Sequence, residues 1–171
     1  YLMIVDTSIY SEIHDYIERS IDYTVEISES SIENSLLKVT YKNSYSSNPK
    51  CVQFWRQSCY WNYFRVYIPK DSRLLQEPQL LLPEGTTYEA NSELYGYEVD
   101  TGNTFSISDR PQLYKTEMSG YIAPNGMETK ELVFAYAKPS SVILTPDGNH
   151  KYELLIQKQP GTIADKVRIT A

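Results

Sequence analysis

Cysteine and histidine are scarce in this 171-residue sequence, with two of each, and their scarcity limits the chemistry it can carry. Two thiols do not make a zinc site, and His14 and His150 stand far from Cys51 and Cys59 along the chain. No Gly-x-Ser-x-Gly elbow surrounds any serine, so neither histidine has a recognisable nucleophile to serve. The chain reads as a non-enzyme that requires no cofactor. Basic residues are in the minority, 16 against 22 acidic, for a net charge of −6. Phosphate binding needs clustered Lys and Arg, so nucleic acid and anionic membrane surfaces are disfavoured as partners.

Long apolar runs are also missing. Nothing approaches the roughly 18 residues that span a bilayer, so no direct membrane insertion is expected of this segment. The opening Tyr1-Leu-Met-Ile-Val5 is apolar but lacks a basic region and a cleavage site. The chain starts without Met and stops in Val167-Arg-Ile-Thr-Ala171, so it reads as part of a longer protein. Helical spacing is confined to Ser8 to Ile17, where Ile9, Ile13, Tyr16 and Ile17 recur, and a loop explains that stretch equally well.

What is present is period-two alternation. Ile21, Tyr23, Val25 and Ile27 alternate with Asp22, Thr24 and Glu26, and Leu37, Val39 and Tyr41 alternate with Lys38, Thr40 and Lys42. These two runs read as a hairpin. Phe64, Val66 and Ile68 mark a third strand, ended by Pro69. Leu132, Phe134 and Tyr136 mark another. Shorter candidates are Leu74-Leu75, 79–82, 94–99, 104–107, 115–122, 141–144, 151–159 and 166–171. Turn signals at Pro83-Glu-Gly85, Asp100-Thr-Gly-Asn103 and Pro146-Asp-Gly-Asn149 separate several of them. About nine or ten short strands at this spacing predict an immunoglobulin-like antiparallel β-sandwich, one domain over residues 1–171. Its expected core is Ile21, Tyr23, Val25, Val39, Phe64, Val66, Leu132, Phe134, Leu154 and Ile156. Alternation places most strand acids, Glu98 and Glu117 among them, on the solvent face.

Residues 43–61 form a polar excursion rich in Ser and Asn. Cys51 and Cys59 are eight positions apart within it. Their spacing points to a small-loop disulfide and an oxidising compartment, with two free thiols in a reducing one as the alternative. Around them lie Phe54, Trp55, Arg56, Tyr60, Trp61 and Tyr63. Trp, Tyr and Arg are the residues of interface hot spots, and flat rings also stack on sugars. That set is the candidate binding site if the loop is exposed. The alternative, slightly preferred because exposed tryptophans are rare without a partner, folds the loop over one end of the sandwich and buries the rings. No metal is expected: Asp147-Gly-Asn149 and Asp100-Thr-Gly-Asn103 offer oxygen ligands, but hairpin chemistry accounts for both, leaving calcium a minor option.

Four stretches resemble a known bacterial family. They are Ile17-Glu-Arg-Ser-Ile-Asp-Tyr23, Val39-Thr-Tyr-Lys-Asn43, Tyr63-Phe-Arg-Val-Tyr-Ile-Pro-Lys70 followed by Ser72, and Tyr152-Glu-Leu-Leu-Ile-Gln-Lys-Gln-Pro-Gly161. In that order and spacing the chain is similar, over its whole length, to the C-terminal part of the family called domain of unknown function 4012. The resemblance implies a larger protein anchored by an N-terminal transmembrane helix, with this part outside the cytoplasm, and no activity. The cysteine excursion departs from the family pattern.

The functional expectation is a non-catalytic extracellular module of a bacterial cell-envelope protein, at the cell surface, mediating protein contacts or self-assembly. A carbohydrate-binding module using the 51–63 aromatics is the alternative. A terminal strand such as Val167 to Thr170 has an edge that another chain could complete.

Overall fold

The computed structural model describes residues 1–9, 13–27, 32–46, 60–80, 105–139, 142–160 and 165–171. These residues form a β-sandwich of two five-stranded sheets plus a small two-stranded ribbon. The strands are β1 (Leu2–Ile9), β2 (Ile17–Ile27), β3 (Ile32–Asn43), β4 (Trp61–Pro69), β5 (Arg73–Gln76), β6 (Ser106–Arg110), β7 (Lys115–Ile122), β8 (Thr129–Pro139), β9 (Ile143–Leu144), β10 (His150–Lys151), β11 (Ile156–Gln157) and β12 (Lys166–Thr170). One sheet runs β11-β1-β4-β7-β6, the other β12-β2-β3-β8-β5, and β9 pairs with β10.

The expected hairpin is there, with Ile21 opposite Val39 and Tyr23 opposite Leu37. β2, β3, β4 and β8 keep the parity their sequences dictate, except that Ile27 at the end of β2 is exposed. Ile21, Tyr23, Val25, Leu37, Val39 and Tyr41 face in from β2 and β3, and Phe64, Val66 and Ile68 face in from β4. Phe64 and Phe134 meet across the two layers edge-to-face, with ring centroids 6.0 Å apart. Eight of the ten expected core residues are buried, while Leu154 and Ile156 are half-buried and pack against the core from its margin. At Pro146-Asp-Gly-Asn149 the chain turns between β9 and β10, with Gly148 at φ 82°, a conformation that favours glycine.

Four expectations are corrected. Residues 8–17 hold no α-helix among those described: β1 runs to Ile9, and a single 3-10 turn over His14–Tyr16 leads into β2. The described strands number twelve, because the amino-terminal apolar run is itself a strand, paired with β4. The pairing is mixed rather than wholly antiparallel: β11 joins β1, and β12 joins β2, in parallel. The single strand expected over 151–159 is instead β10 and β11, with residues 152–155 between them. Residues 81–82 and 94–99, with their strand candidates, lie outside the described residues.

Candidate functional site

Of the six aromatic-loop residues, Phe54, Trp55 and Arg56 lie outside the described residues, as do Cys51 and Cys59. Of the other three, Trp61 and Tyr63 share the outward parity of β4, and Tyr60 does not join them. Tyr60 is 5 % exposed and packs into the core, with His14 against its ring edge at 6.4 Å. Burial and the nearby Asp6 carboxylate raise its phenol well above the ordinary value. Trp61 has the outward parity of β4 yet is 3 % exposed. Stacking on a sugar requires an open ring face, which the buried Tyr60 and Trp61 do not offer; their burial is what the preferred alternative, a loop folded over the sandwich, calls for at these two positions. Tyr63 alone is half-exposed, on the outer face of its sheet, where its hydroxyl donates to Ser119 Oγ and its ring meets that of Tyr121 at 4.8 Å. Glu117 also takes the outward parity but is nearly buried, held by both nitrogens of a two-point bond from Arg110. That bond depresses its carboxyl below the ordinary value. Glu98 lies outside the described residues. Among the described residues no three His, Cys, Asp or Glu side chains gather to hold a metal ion.

The polar chemistry of the fold lies between the sheets, where the sequence reading expected none. Arg19 shares the inward parity of Ile21 and Tyr23, and its side chain is 7 % exposed. Its Nε and Nη2 donate to the two oxygens of Asp165, at 2.9 and 2.7 Å, and its Nη1 donates to Asp6. Burial opposes the charge on the guanidinium, but the bond to Asp165 and the Asp6 carboxylate outweigh it and raise its pKa. The second oxygen of Asp6 accepts from the Tyr41 hydroxyl and from Asn62 Nδ2, each at 2.7 Å. One arginine thus ties β1 in one sheet to β2 in the other, and ties both to the residue that leads into β12. A buried charge requires this much pairing, since unpaired it costs several kcal/mol, roughly.

A second charged cluster occupies the opposite end of the same sheet. Glu33 and Lys138 stand directly across from each other on β3 and β8, both buried, at 2.8 Å. The Tyr152 hydroxyl donates to Glu33, and its ring lies under the ammonium at 5.5 Å. Tyr136 donates to Tyr23, which shares a hydrogen bond with Ser35. Rows of Ile21, Val39 and Leu132, and of Tyr23, Leu37 and Phe134, separate the two clusters.

Arg19 and Asp165 line a cleft of about 140 Å³ between the edge strands β11 and β12. Leu2, Ile4, Ile21, Ile156 and Val167 give it apolar walls, and Gln157 and Lys158 complete the lining. Sequence parity could have flagged the cluster: Arg19 sits in the apolar stripe of β2, as Glu33 does in β3 and Lys138 in β8. The partners come from distant strands and were not readable. No family model matches the chain, and no curated protein matches it.

Proposed function

We propose that this chain is a non-catalytic, immunoglobulin-like module of a bacterial cell-envelope protein, outside the cytoplasm, that makes protein contacts through an open sheet edge. One observation carries the reading. All five residues of β12 are exposed, and among the described residues the strand pairs with β2 on one side only. Val167 and Ile169, opposite Ile21 and Tyr23, point toward the sandwich interior yet remain 42 % and 53 % exposed. An edge strand with unpaired backbone groups and two open apolar side chains is a template for strand addition. The extracellular setting rests on the motif resemblance and on the cysteine pair. The protein reading is preferred to the glycan one because Tyr60 and Trp61 are buried.

The test is amine-reactive crosslinking on intact source cells, with the linked lysines mapped by mass spectrometry. Protein links concentrated at Lys158 and Lys166, and sparse at Lys42 and Lys70, are expected. Protein links that avoid residues 158–171 would rule the edge out as the contact.

A further inference from the structure

We infer that the cleft beside β12 receives one apolar side chain of an extended segment from another polypeptide, added to the edge of β12, in which acidic residues alternate with apolar ones. This rests on the protein-contact reading above and specifies the partner's chemistry.

Three features converge on such a segment. The first is direction. A strand laid along the free side of β12 sends alternate side chains inward, onto Val167 and Ile169 and over the cleft mouth between β12 and β11. The second is size. A cavity of about 150 Å³ with apolar walls holds a benzene ring, so a cleft of about 140 Å³ accepts a Leu- or Phe-sized group. The third is charge. On a chain of net charge −6, this edge carries Lys158, Lys166 and Arg168. Arg168 is shared with Asp22 of β2 at 3.2 Å and Asp165 is taken by Arg19, so the positive excess of this edge comes from Lys158 and Lys166. Opposite charges across neighbouring strands are favourable and like charges unfavourable, so the outward positions of the incoming strand should be acidic.

A second copy of this chain fits less well. The other edge strands of the large sheets read Arg73-Leu-Leu-Gln76, Ser106-Ile-Ser-Asp-Arg110 and Ile156-Gln157, and none alternates acid with apolar residue. Docked on β12, Arg73 or Arg110 would add positive charge to a positive edge.

The test uses the full chain, isotopically labelled, and a capped heptapeptide alternating Glu with Val and Leu. A scrambled peptide of the same composition and a version with Lys for Glu serve as controls. Binding should protect the amides of residues 166–170 from hydrogen exchange. Both controls should bind at least about tenfold more weakly. Val167→Trp, which fills the cleft from its own wall, should weaken the acidic peptide by a similar factor. If that variant disturbs the fold, the double change Lys166→Glu with Arg168→Glu, at two exposed positions, gives the same readout. Equal binding of the scrambled or basic peptide, protection elsewhere than β12, or a β12-mediated dimer in sedimentation would each overturn the inference. The outcomes separate the two proposals. Cellular crosslinks at Lys158 and Lys166 with no acidic-peptide binding would leave the contact reading standing and remove this occupant. Peptide binding at β12 without those crosslinks would remove the contact reading.

Discussion

The side-chain amide of Gln159 binds the backbone of Asp6 at two points: the Asp6 N–H donates to Gln159 Oε1 at 2.7 Å, and Gln159 Nε2 donates to the Asp6 carbonyl at 2.9 Å. It does for β1 what another strand would do. The β11 ladder covers only Leu2 and Met3 along that edge, and Gln159 satisfies backbone groups farther on. A strand edge left open invites foreign pairing, and here a side chain caps one residue of it.

Gln159→Ala should therefore lower stability by about 1–3 kcal/mol, the cost of leaving partly buried backbone groups unsatisfied. Exchange of the Asp6 amide should speed up more than that of the β3 amides. Gln159→Glu keeps the acceptor for the N–H but sets a carboxylate against the Asp6 carbonyl, so at neutral pH it should rescue nothing. Urea unfolding and residue-resolved hydrogen exchange decide it. An unchanged Asp6 amide in the alanine variant would show that the two-point bond protects nothing.

Arg19 bears on the opposite side of the same residue. Arg19→Met leaves the carboxylates of Asp6 and Asp165 facing a desolvated space without their cation, and should cost roughly 3–5 kcal/mol in urea unfolding. Arg19→Lys keeps the charge but not the planar fork that spans two carboxylates, so it should fall between. Asp165→Asn should cost less than Asp6→Asn, because Asp6 also accepts from Tyr41 and Asn62. Asp165→Asn should also loosen β12 selectively, seen as faster exchange at residues 166–170. Uniform loosening of all strands would show that the arginine does not hold that edge in particular.

The alternation in β2, β3, β4 and β8 was legible because each strand has one buried face, and burial imposes period two on the side chains. β1 was less legible. Leu2, Met3, Ile4 and Val5 are all apolar, so no alternation shows, and Ile9, Ile13 and Ile17 imitate helical spacing. Asp6 adds to the difficulty, since a strand acid is ordinarily assigned to solvent. It faces inward only because Arg19, Tyr41 and Asn62, from three other strands, converge on it. The aromatic loop was ambiguous for a related reason: composition shows which rings could bind, but whether Tyr60 and Trp61 are buried, as they are, depends on what the fold lays over them. Among the described residues β12 lies at a sheet edge, a position the sequence allowed for, while the cleft beside it required knowing that β11 and β12 line the same side.

Glu33 and Lys138 offer a test of what buried charge contributes. Removing either alone, as Glu33→Leu or Lys138→Met, strands the other in the interior and should cost roughly 3–5 kcal/mol. The double variant should recover most of that loss, within about 1 kcal/mol of the parent, because two apolar side chains need no partner. A double-mutant cycle from urea unfolding measures the coupling. Losses that simply add would show that the pair does not act as a unit, and would shift attention to the Tyr152 hydroxyl on Glu33.

The buried tyrosines should set the alkaline limit of the fold. Burial raises the phenols of Tyr41, Tyr60, Tyr136 and Tyr152 above their ordinary value, with the Asp6 carboxylate adding to the effect at Tyr41 and Tyr60, and Glu33 at Tyr152. For a group whose folded pKa is raised, the stabilising contribution is complete below its unfolded value, here near pH 10, and is lost as pH climbs toward the folded one. Urea stability should therefore stay nearly flat between about pH 8 and 9.5 and fall steeply above about pH 10. Each buried phenol adds a slope of up to about 1.4 kcal/mol per pH unit, because the unfolded chain releases a proton that the folded chain retains. Phenolate absorbance should rise in two stages, first from solvent-exposed rings, then from the buried ones together with unfolding. Tyr41→Phe removes one ionising group, so its stability should fall less steeply above pH 10, even though loss of the bond to Asp6 makes it less stable at pH 7. A mutant slope equal to the parent's would mean that Tyr41 ionises without unfolding, and that the core around Asp6 admits a phenolate.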